Sequence, residues 1–281
     1  MGEVIPFQPP PLAPRDPRFV PLPVEMVQLA GDWKGAPLPV GWDAEEKVDG
    51  IRAAMVDGTL YSREGVPLDI PHVAAELERL ERRFGQPMMF DGEYQEPGGF
   101  LDTLAWHSAR GKREASGTFY LFDAVPLEEW RRDLCEEPLT DRRRLIRAAL
   151  GDWEPLHVRR LEPVPVATRA DVDRLAAEVW ARDGEGLVLK DRRGLYRRTR
   201  SSDWLKVKRE LRLSGSVIEI LHDGAALAVE IGGRRVRVAV APALRGTPAV
   251  GMCVEVTAME WSAKGALRQG RAVAIGNRDA L

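Results

Sequence analysis

The chain has 281 residues, of which 44% are hydrophobic and 30% charged, so it can bury a core in one large domain or two smaller ones. Its formal net charge of −2 gives no overall sign of a nucleic-acid-binding protein. Cys135 and Cys253 lie far apart and the four histidines form no pair, which argues against zinc and against a disulfide framework. No apolar run approaches the roughly 20 residues of a spanning helix, so we expect a cytoplasmic protein without a membrane partner.

Prolines dominate residues 1–24 and favour an extended, polyproline-like arm. This segment lacks a basic region followed by an apolar run, so we do not expect a signal peptide. Short strands are predicted in 42–64, where Asp49-Gly50 and Asp57-Gly58 are typical of hairpin turns. Further strands are predicted at 90–94 and 118–123.

Apolar residues at helical spacing predict three helices, at 71–84, 141–150 and 170–182. Pro71 suits a first helical turn and Gly85 a helix end, while Thr140 is a candidate N-cap. From Leu213 onward only strands are predicted, at 216–221, 225–231, 234–240, 253–259 and 268–275. Five short strands favour a small Greek-key barrel such as an OB-fold, with a domain boundary near Arg212.

A lysine lies in the hexapeptide Lys47-Val48-Asp49-Gly50-Ile51-Arg52. A lysine amine attacks phosphorus only when it is neutral, a state that neighbouring cations and partial desolvation favour. Lys206 and Lys208 are two apart on a predicted strand and therefore share one face. Near Lys47 they would repel its proton and bind the phosphate under attack. The alternative is an edge strand with two exposed lysines.

Two carboxylates lie at the ends of predicted strands, Glu93 after Phe90-Asp91-Gly92 and Glu185 before Leu187-Val188-Leu189. Such groups can hold a divalent cation or a ribose hydroxyl, although either residue could also be a turn or cap residue. Residues 190–212 carry ten basic and three acidic side chains. That stretch predicts a phosphate-binding patch, with a solvated surface loop as the alternative.

These segments, in this order, resemble the motifs of the covalent nucleotidyltransferases. Their sequences are similar to those of ATP-dependent DNA ligases of the minimal two-domain type. Lys47–Arg52 resembles motif I and Phe90–Glu93 motif III. The other similar segments are Ser62–Gly65 (motif Ia), Phe119–Asp123 (motif IIIa), Glu185–Lys190 (motif IV) and Trp204–Lys208 (motif V). The resemblance implies an α+β fold, in which a nucleotidyltransferase (ATP-grasp-like adenylation) domain at 25–211 precedes an all-β OB-fold barrel at 212–281.

The resemblance also implies the roles of individual residues. Lys47 would attack the α-phosphate of ATP, and Asp49 would shape the site around it. The expected nucleotide contacts are Glu45 at the adenine edge, Phe122 on its face, Arg52 and Glu93 at the ribose, and Lys190, Lys206 and Lys208 on phosphate. Glu185, with Glu93, would hold Mg²⁺ (or Mn²⁺). The expected DNA contacts are Arg63 at the nick 5′-phosphate and Arg192, Arg193, Arg197 and Arg198 in the basic stretch.

The implied activity is the sealing of nicks in double-stranded DNA by a monomer. Motif VI departs from the family pattern: Arg268 or Arg278 would orient the departing pyrophosphate, but a usual proline and a terminal lysine are missing. The alternatives are an RNA ligase, an mRNA guanylyltransferase or a nucleic-acid-binding module that has lost catalysis. Arg52 and the lack of zinc cysteines argue against the NAD-dependent branch.

Overall fold

The computed structural model describes residues 25–109, 112–245, 248–261 and 265–276. The arm predicted at 1–24 and the motif VI candidate Arg278 lie outside these ranges. The described residues divide into two compact units, the first ending at Val207 and the second beginning at Lys208. No helix among the described residues is long and apolar enough to cross a membrane.

The first unit combines two five-stranded sheets with five helices. Its strands are β1 (Leu29–Asp32), β2 (Trp42–Glu46), β3 (Ile51–Val56), β4 (Thr59–Ser62), β5 (Met88–Gln95), β6 (Thr118–Pro126), β7 (Val158–Arg160), β8 (Val164–Val166), β9 (Gly186–Asp191) and β10 (Arg200–Lys208). Its helices are α1 (Pro71–Phe84), α2 (Phe100–Ser108), α3 (Leu127–Arg131), α4 (Leu139–Leu150) and α5 (Arg169–Ala181).

The two sheets interleave along the chain. One has the order β1-β10-β9-β2-β8 and the other the order β4-β3-β5-β6-β7. An apolar cluster that includes Val125 of β6 and Trp204 of β10 joins side chains of both sheets. Separate clusters pack α1 and α4 on the second sheet and α5 on the first. The strands that carry the predicted motifs therefore lie side by side within each sheet.

The segment Asp49-Gly50 is not a hairpin turn, contrary to the sequence prediction. It connects β2 to β3, which belong to different sheets and pair with other strands. Gly50 is required by close packing, because a Cβ there would lie 2.3 Å from the carbonyl oxygen of Tyr94. The hairpin predicted at Asp57-Gly58 is confirmed, since both residues have positive φ between the paired strands β3 and β4.

All three predicted helices are present, two of them with shifted ends. Helix α1 matches the prediction, with Pro71 in its first turn and Gly85 in the left-handed conformation at its end. Helix α4 begins at Leu139 after Pro138, so Thr140 lies inside the helix and is not its N-cap. Helix α5 begins after Thr168, whose side chain forms a capping box with Asp171. Helices α2 and α3 were not predicted.

The second unit is a closed five-stranded barrel with an additional two-stranded hairpin. Its strands are β11 (Leu211–Leu221), β12 (Ala226–Ile231), β13 (Arg234–Val240), β14 (Cys253–Ala258), β15 (Glu260–Trp261), β16 (Leu267–Arg268) and β17 (Arg271–Gly276), with single 3-10 turns at His222–Gly224 and Pro242–Leu244. The barrel order is β11-β12-β13-β17-β14, and β14 pairs with β11 to close it. This order is that of a Greek-key barrel, as an OB-fold requires.

The last predicted strand, 268–275, is two strands in the structure. Gln269 has a φ of 55°, which interrupts the extended backbone. The segment before it, β16, pairs with β15, whereas β17 after it joins the barrel. Arg268 therefore lies on the hairpin and not on a barrel strand.

Candidate active site

Both sheets of the first unit contribute to the predicted site. Glu45 lies in β2 and Lys47 follows that strand directly, while Glu185 immediately precedes β9. The other predicted side chains lie within strands: Arg52 in β3, Glu93 in β5, Phe122 in β6, Lys190 in β9 and Lys206 in β10. Because β2, β9 and β10 are consecutive in one sheet and β3, β5 and β6 in the other, the topology groups residues that are distant in sequence.

Lys47 forms an ion pair with Glu185. The backbone N–H of Lys47 donates to the carbonyl oxygen of Gly186 at 2.9 Å, which extends the pairing of β2 and β9 by one step. This backbone contact places the Lys47 ammonium against the Glu185 carboxylate. The carboxylate is nearly buried, whereas the lysine side chain is 24% exposed. The amine is thus partly accessible to a ligand, and the Glu185 carboxylate is in direct contact with it.

Arg52 is held in a rigid network. Its Nε and Nη2 atoms donate to the two carboxylate oxygens of Asp91, both at 2.6 Å, and Nη2 also donates to the carbonyl oxygen of Gln28 at 3.0 Å. The Tyr196 hydroxyl donates to Asp91 Oδ2 at 2.7 Å. Burial alone would lower the pKa of Arg52, but Asp91 outweighs it and raises that pKa above its ordinary value. The guanidinium is therefore a fixed positive charge.

Glu93 is adjacent to this network, opposite Arg52 in the pairing of β3 with β5. Burial raises the pKa of Glu93 to about 7; Lys47 and Arg52 oppose this shift, and the charges of Glu185 and Asp91 add to it. The carboxyl therefore lies close to half ionisation at neutral pH. A bound cation would shift it to the ionised form.

Two cationic side chains lie against a pair of aromatic rings. The rings of Phe122 and Trp204 meet edge to face, with their centroids 6.0 Å apart. The Arg52 Cζ atom lies 4.5 Å from the Phe122 centroid, and Lys190 Nζ lies 4.7 Å from it. Lys190 Nζ also lies 4.1 Å from the Trp204 ring. Phe122 is only partly buried, so part of its ring is open to a planar ligand.

A chain of alternating charges links side chains of β2 and β9 to Arg143 of α4 and to Arg192, which follows β9. Lys190 Nζ contacts Glu45 Oε2 at 2.6 Å, and Glu45 Oε1 is bound by Arg143 of α4. Arg143 also binds Asp43 at 2.7 Å, and Asp43 in turn binds Arg192 at 2.6 Å. Burial lowers the pKa of Lys190 and the Arg143 charge adds to this shift, whereas Glu45 opposes it. Glu45 therefore already has two cationic partners before any ligand binds.

The other predicted catalytic and phosphate-binding residues are less enclosed. Lys206 Nζ pairs with Asp32 at 3.1 Å. The backbone carbonyl of Asp49 accepts a hydrogen bond from Gln95 at 2.9 Å, so this residue helps fix the loop after β2. Lys208 begins the second unit, and Arg268 lies partly buried in that unit.

The predicted DNA-binding arginines differ in how they are held. Arg63 and Arg193 are exposed and pair with acidic neighbours along the chain. Arg192 is bound to Asp43, as described above. Arg198 donates to the carbonyl oxygen of Trp130 at 3.0 Å and is mostly buried. Arg197 is exposed, and its backbone N–H donates to the Gln28 side chain at 2.8 Å. Arg63, Arg193 and Arg197 are thus the most exposed of the five, whereas the Arg192 side chain, 39% exposed, is held by Asp43.

Sequence reasoning missed the partners of the predicted residues. Asp91 lies inside the segment that resembles motif III, and Tyr196 lies in the basic stretch 190–212, but no role was predicted from the sequence for either residue. Arg143 lies outside all the motifs. A signal for it exists in the sequence: Leu139, Arg143 and Ile146 follow helical spacing, which places a cation on the apolar face of α4 and requires a buried anion.

A family model for the ATP-dependent DNA ligase domain matches residues 39–208. Among curated proteins, DNA ligase of Haemophilus influenzae is 29% identical over 171 residues, or 60% of this chain and 58% of that protein. DNA ligase 4 of Phaeosphaeria nodorum is 35% identical over 120 residues, or 40% of this chain and 12% of that protein. The chain thus spans less than two thirds of either curated relative.

Solved structures show the same fold. One, described as "DNA binding with a minimal scaffold: Structure-function analysis of Lig E DNA ligases", superimposes with a TM-score of 0.69 at 20% identity. The match covers 90% of this chain and 99% of that one. The predicted α+β fold, a nucleotidyltransferase-like region followed by an all-β region, is thereby confirmed.

Proposed function

The chain belongs to the family of ATP-dependent DNA ligases, and from this premise we propose that it stores AMP on Lys47 and uses it to seal nicks in duplex DNA. The observation that carries the proposal is the placement of Lys47. Its amine is partly exposed beside Glu185, next to strands that bring Arg52, Phe122 and Lys190 together. We assign the adenylation domain to residues 25–211 and the OB-fold domain to residues 212–281. The protein would act as a monomer in the cytoplasm.

In the first step Lys47 Nζ forms a bond to the α-phosphorus of ATP as the bond to pyrophosphate breaks. The amine must first lose a proton and its contact with Glu185. Phe122 would stack on adenine, with Arg52 and Glu93 at the ribose. Lys190, Lys206, Lys208 and Arg268 would neutralise the phosphates, a task of position and charge rather than of acid–base chemistry.

Mg²⁺ or Mn²⁺ fits the residues present. The described part of the chain holds no group of three metal-ligating side chains. A cation bound to polyphosphate needs only one or two protein carboxylates, however, and the charges of Glu185 and Glu93 influence each other. These two residues would hold the ion, which would neutralise charge on the polyphosphate.

In the second step an oxygen of the nick 5′-phosphate attacks the adenylate phosphorus and Lys47 leaves. In the third, the adjoining 3′-hydroxyl attacks the 5′-phosphorus and AMP leaves. Arg63 would bind the 5′-phosphate, and the basic residues Arg192, Arg193, Arg197 and Arg198 would bind the DNA backbone. Asp49 would support the Lys47 loop through its backbone contact to Gln95.

The direct test is incubation with labelled ATP, GTP or NAD and magnesium. We expect an acid-labile adduct on Lys47 from ATP alone. Lys47→Ala should abolish it, whereas Lys34→Ala, which removes an exposed lysine, should not. Labelling by GTP would instead indicate a guanylyltransferase, and the absence of any adduct would indicate a binding module. Faster sealing of nicked RNA than of nicked DNA would indicate an RNA ligase.

Salt dependence tests the DNA contacts. Binding of nicked DNA should weaken steeply with rising salt, because phosphate contacts release counterions. The substitution Arg197→Gln should lower the slope of log affinity against log salt by about 1, since this side chain is exposed. A flat salt response of the unaltered protein would assign the basic stretch to an ordinary surface.

A further inference from the structure

We propose that Arg143 of α4 is a positioning residue that fixes the Glu45 carboxylate at the nucleobase side of the site and so contributes to the choice of purine. The inference rests on the proposed function, because it assumes that a nucleobase binds beside Phe122, in the space between the two sheets of the first unit. Arg143 lies outside every motif, 98 residues from Glu45 in sequence.

The pairing of β2 with β9 defines which side chains share this space. Glu45 is opposite Val188, and Asp43 is opposite Lys190, so all four project from one face of the sheet. The other face carries Ala44, Leu187 and Leu189, which pack with α5. Val188 instead packs against the cluster between the sheets, as Phe122 does. Glu45 therefore borders the space where the Phe122 ring is accessible.

Arg143 determines where the Glu45 carboxylate lies. Its two terminal nitrogens bind different carboxylates, Nη1 that of Asp43 and Nη2 that of Glu45. Asp43 and Glu45 are two apart on one strand and both buried, so without a shared cation they would repel each other. The fork geometry of a guanidinium fixes both distances at once, which an ammonium cannot do.

The second oxygen of Glu45 is bound by Lys190, whose ammonium lies against the Phe122 and Trp204 rings. Arg143 thus holds one oxygen of the carboxylate from the helix side while Lys190 holds the other from the aromatic side. Each oxygen has a further lone pair, which can accept a hydrogen bond from an exocyclic amine of a base. Without the Arg143 guanidinium, Lys190 alone would hold the Glu45 carboxylate. The remaining lone pairs of Glu45 would then no longer be directed at the exocyclic amine.

The test compares adenylation by ATP with adenylation by purine riboside triphosphate, which lacks the exocyclic amine. For Arg143→Lys we expect the ratio of the two kcat/KM values to fall about tenfold, the change that follows from losing roughly one hydrogen bond. The matched control is Arg142→Lys, which alters another buried arginine of α4, one that binds Asp123 instead. It should leave the ratio unchanged even if it lowers the melting temperature.

A double substitution makes the test independent of folding losses. Glu45→Gln alone should lower the same ratio, and adding Arg143→Lys to it should lower the ratio no further, because both act through one carboxylate. A ratio unchanged in Arg143→Lys, an equal fall in Arg142→Lys, or independent effects in the double variant would overturn the inference. If the unaltered protein forms no adduct with any nucleotide, the proposed function itself fails, which is a distinguishable outcome.

Discussion

The charge state of Glu93 gives the sharpest quantitative prediction. Burial raises the pKa of Glu93 to about 7, against the opposing charges of Lys47 and Arg52, whereas the ordinary value is 4.5. Between these two values the unfolded chain has released the Glu93 proton and the folded chain still holds it. Stability from this group is therefore complete below pH 4.5 and is lost as the pH rises through about 7.

The size of the effect follows from the shift. With these two pKa values, the contribution of Glu93 to the free energy of unfolding falls by about 2.5 kcal/mol between pH 5 and pH 8. Glu93→Gln keeps the size of the side chain and removes the titration. The unaltered protein should therefore lose about 2.5 kcal/mol more than Glu93→Gln over this interval, because the other titrating groups cancel in the difference.

Urea unfolding followed by tryptophan fluorescence measures this difference. All tryptophans except Trp261 precede Lys208, so the signal reports mainly on the unit that contains Glu93. The measurement is made without nucleotide or divalent cation, since either would favour the ionised carboxylate. If the unaltered protein and Glu93→Gln change in stability by the same amount over this interval, then Glu93 does not hold a proton and the argument from burial is wrong.

Three further substitutions test structural contacts by the same urea unfolding. Tyr196→Phe removes the hydroxyl that donates to the buried Asp91 carboxylate and should lower the free energy of unfolding by about 1.5–3 kcal/mol. Asp123→Ala leaves the buried Arg142 guanidinium without its carboxylate partner and should cost about 3–5 kcal/mol, the largest loss of the set. Thr168→Ala removes the capping box of α5 and should cost about 1 kcal/mol.

Local patterns predicted the elements with strong periodicity. Helix α1 has an apolar stripe between Pro71 and Gly85, and both its ends were predicted correctly. Helix α2 was missed because only Thr103 and Trp106 of its residues are buried, so its sequence lacks the stripe that identifies α1. The false hairpin at Asp49-Gly50 has a different cause: the same dipeptide suits a tight turn and a close backbone approach, and only the strand pairing distinguishes them.

Residue types and motif order identified the side chains of the site but not the contacts among them. A glutamate in a strand does not reveal which cation will neutralise it. Glu45 was expected at the adenine edge, yet it is bound by Arg143 and Lys190, which lie 98 and 145 positions away along the chain. Such pairs have no local signal, because long-range packing selects them. What the sequence does contain is a requirement: an arginine on the apolar face of a helix must find a buried anion, since an unpaired buried charge is too costly. Applied to Arg143, that requirement indicates an acidic partner in the core. The partners are Asp43 and Glu45 of β2, which belongs to the other sheet than the one against which the apolar side chains of α4 pack, so only the assembled fold identifies them.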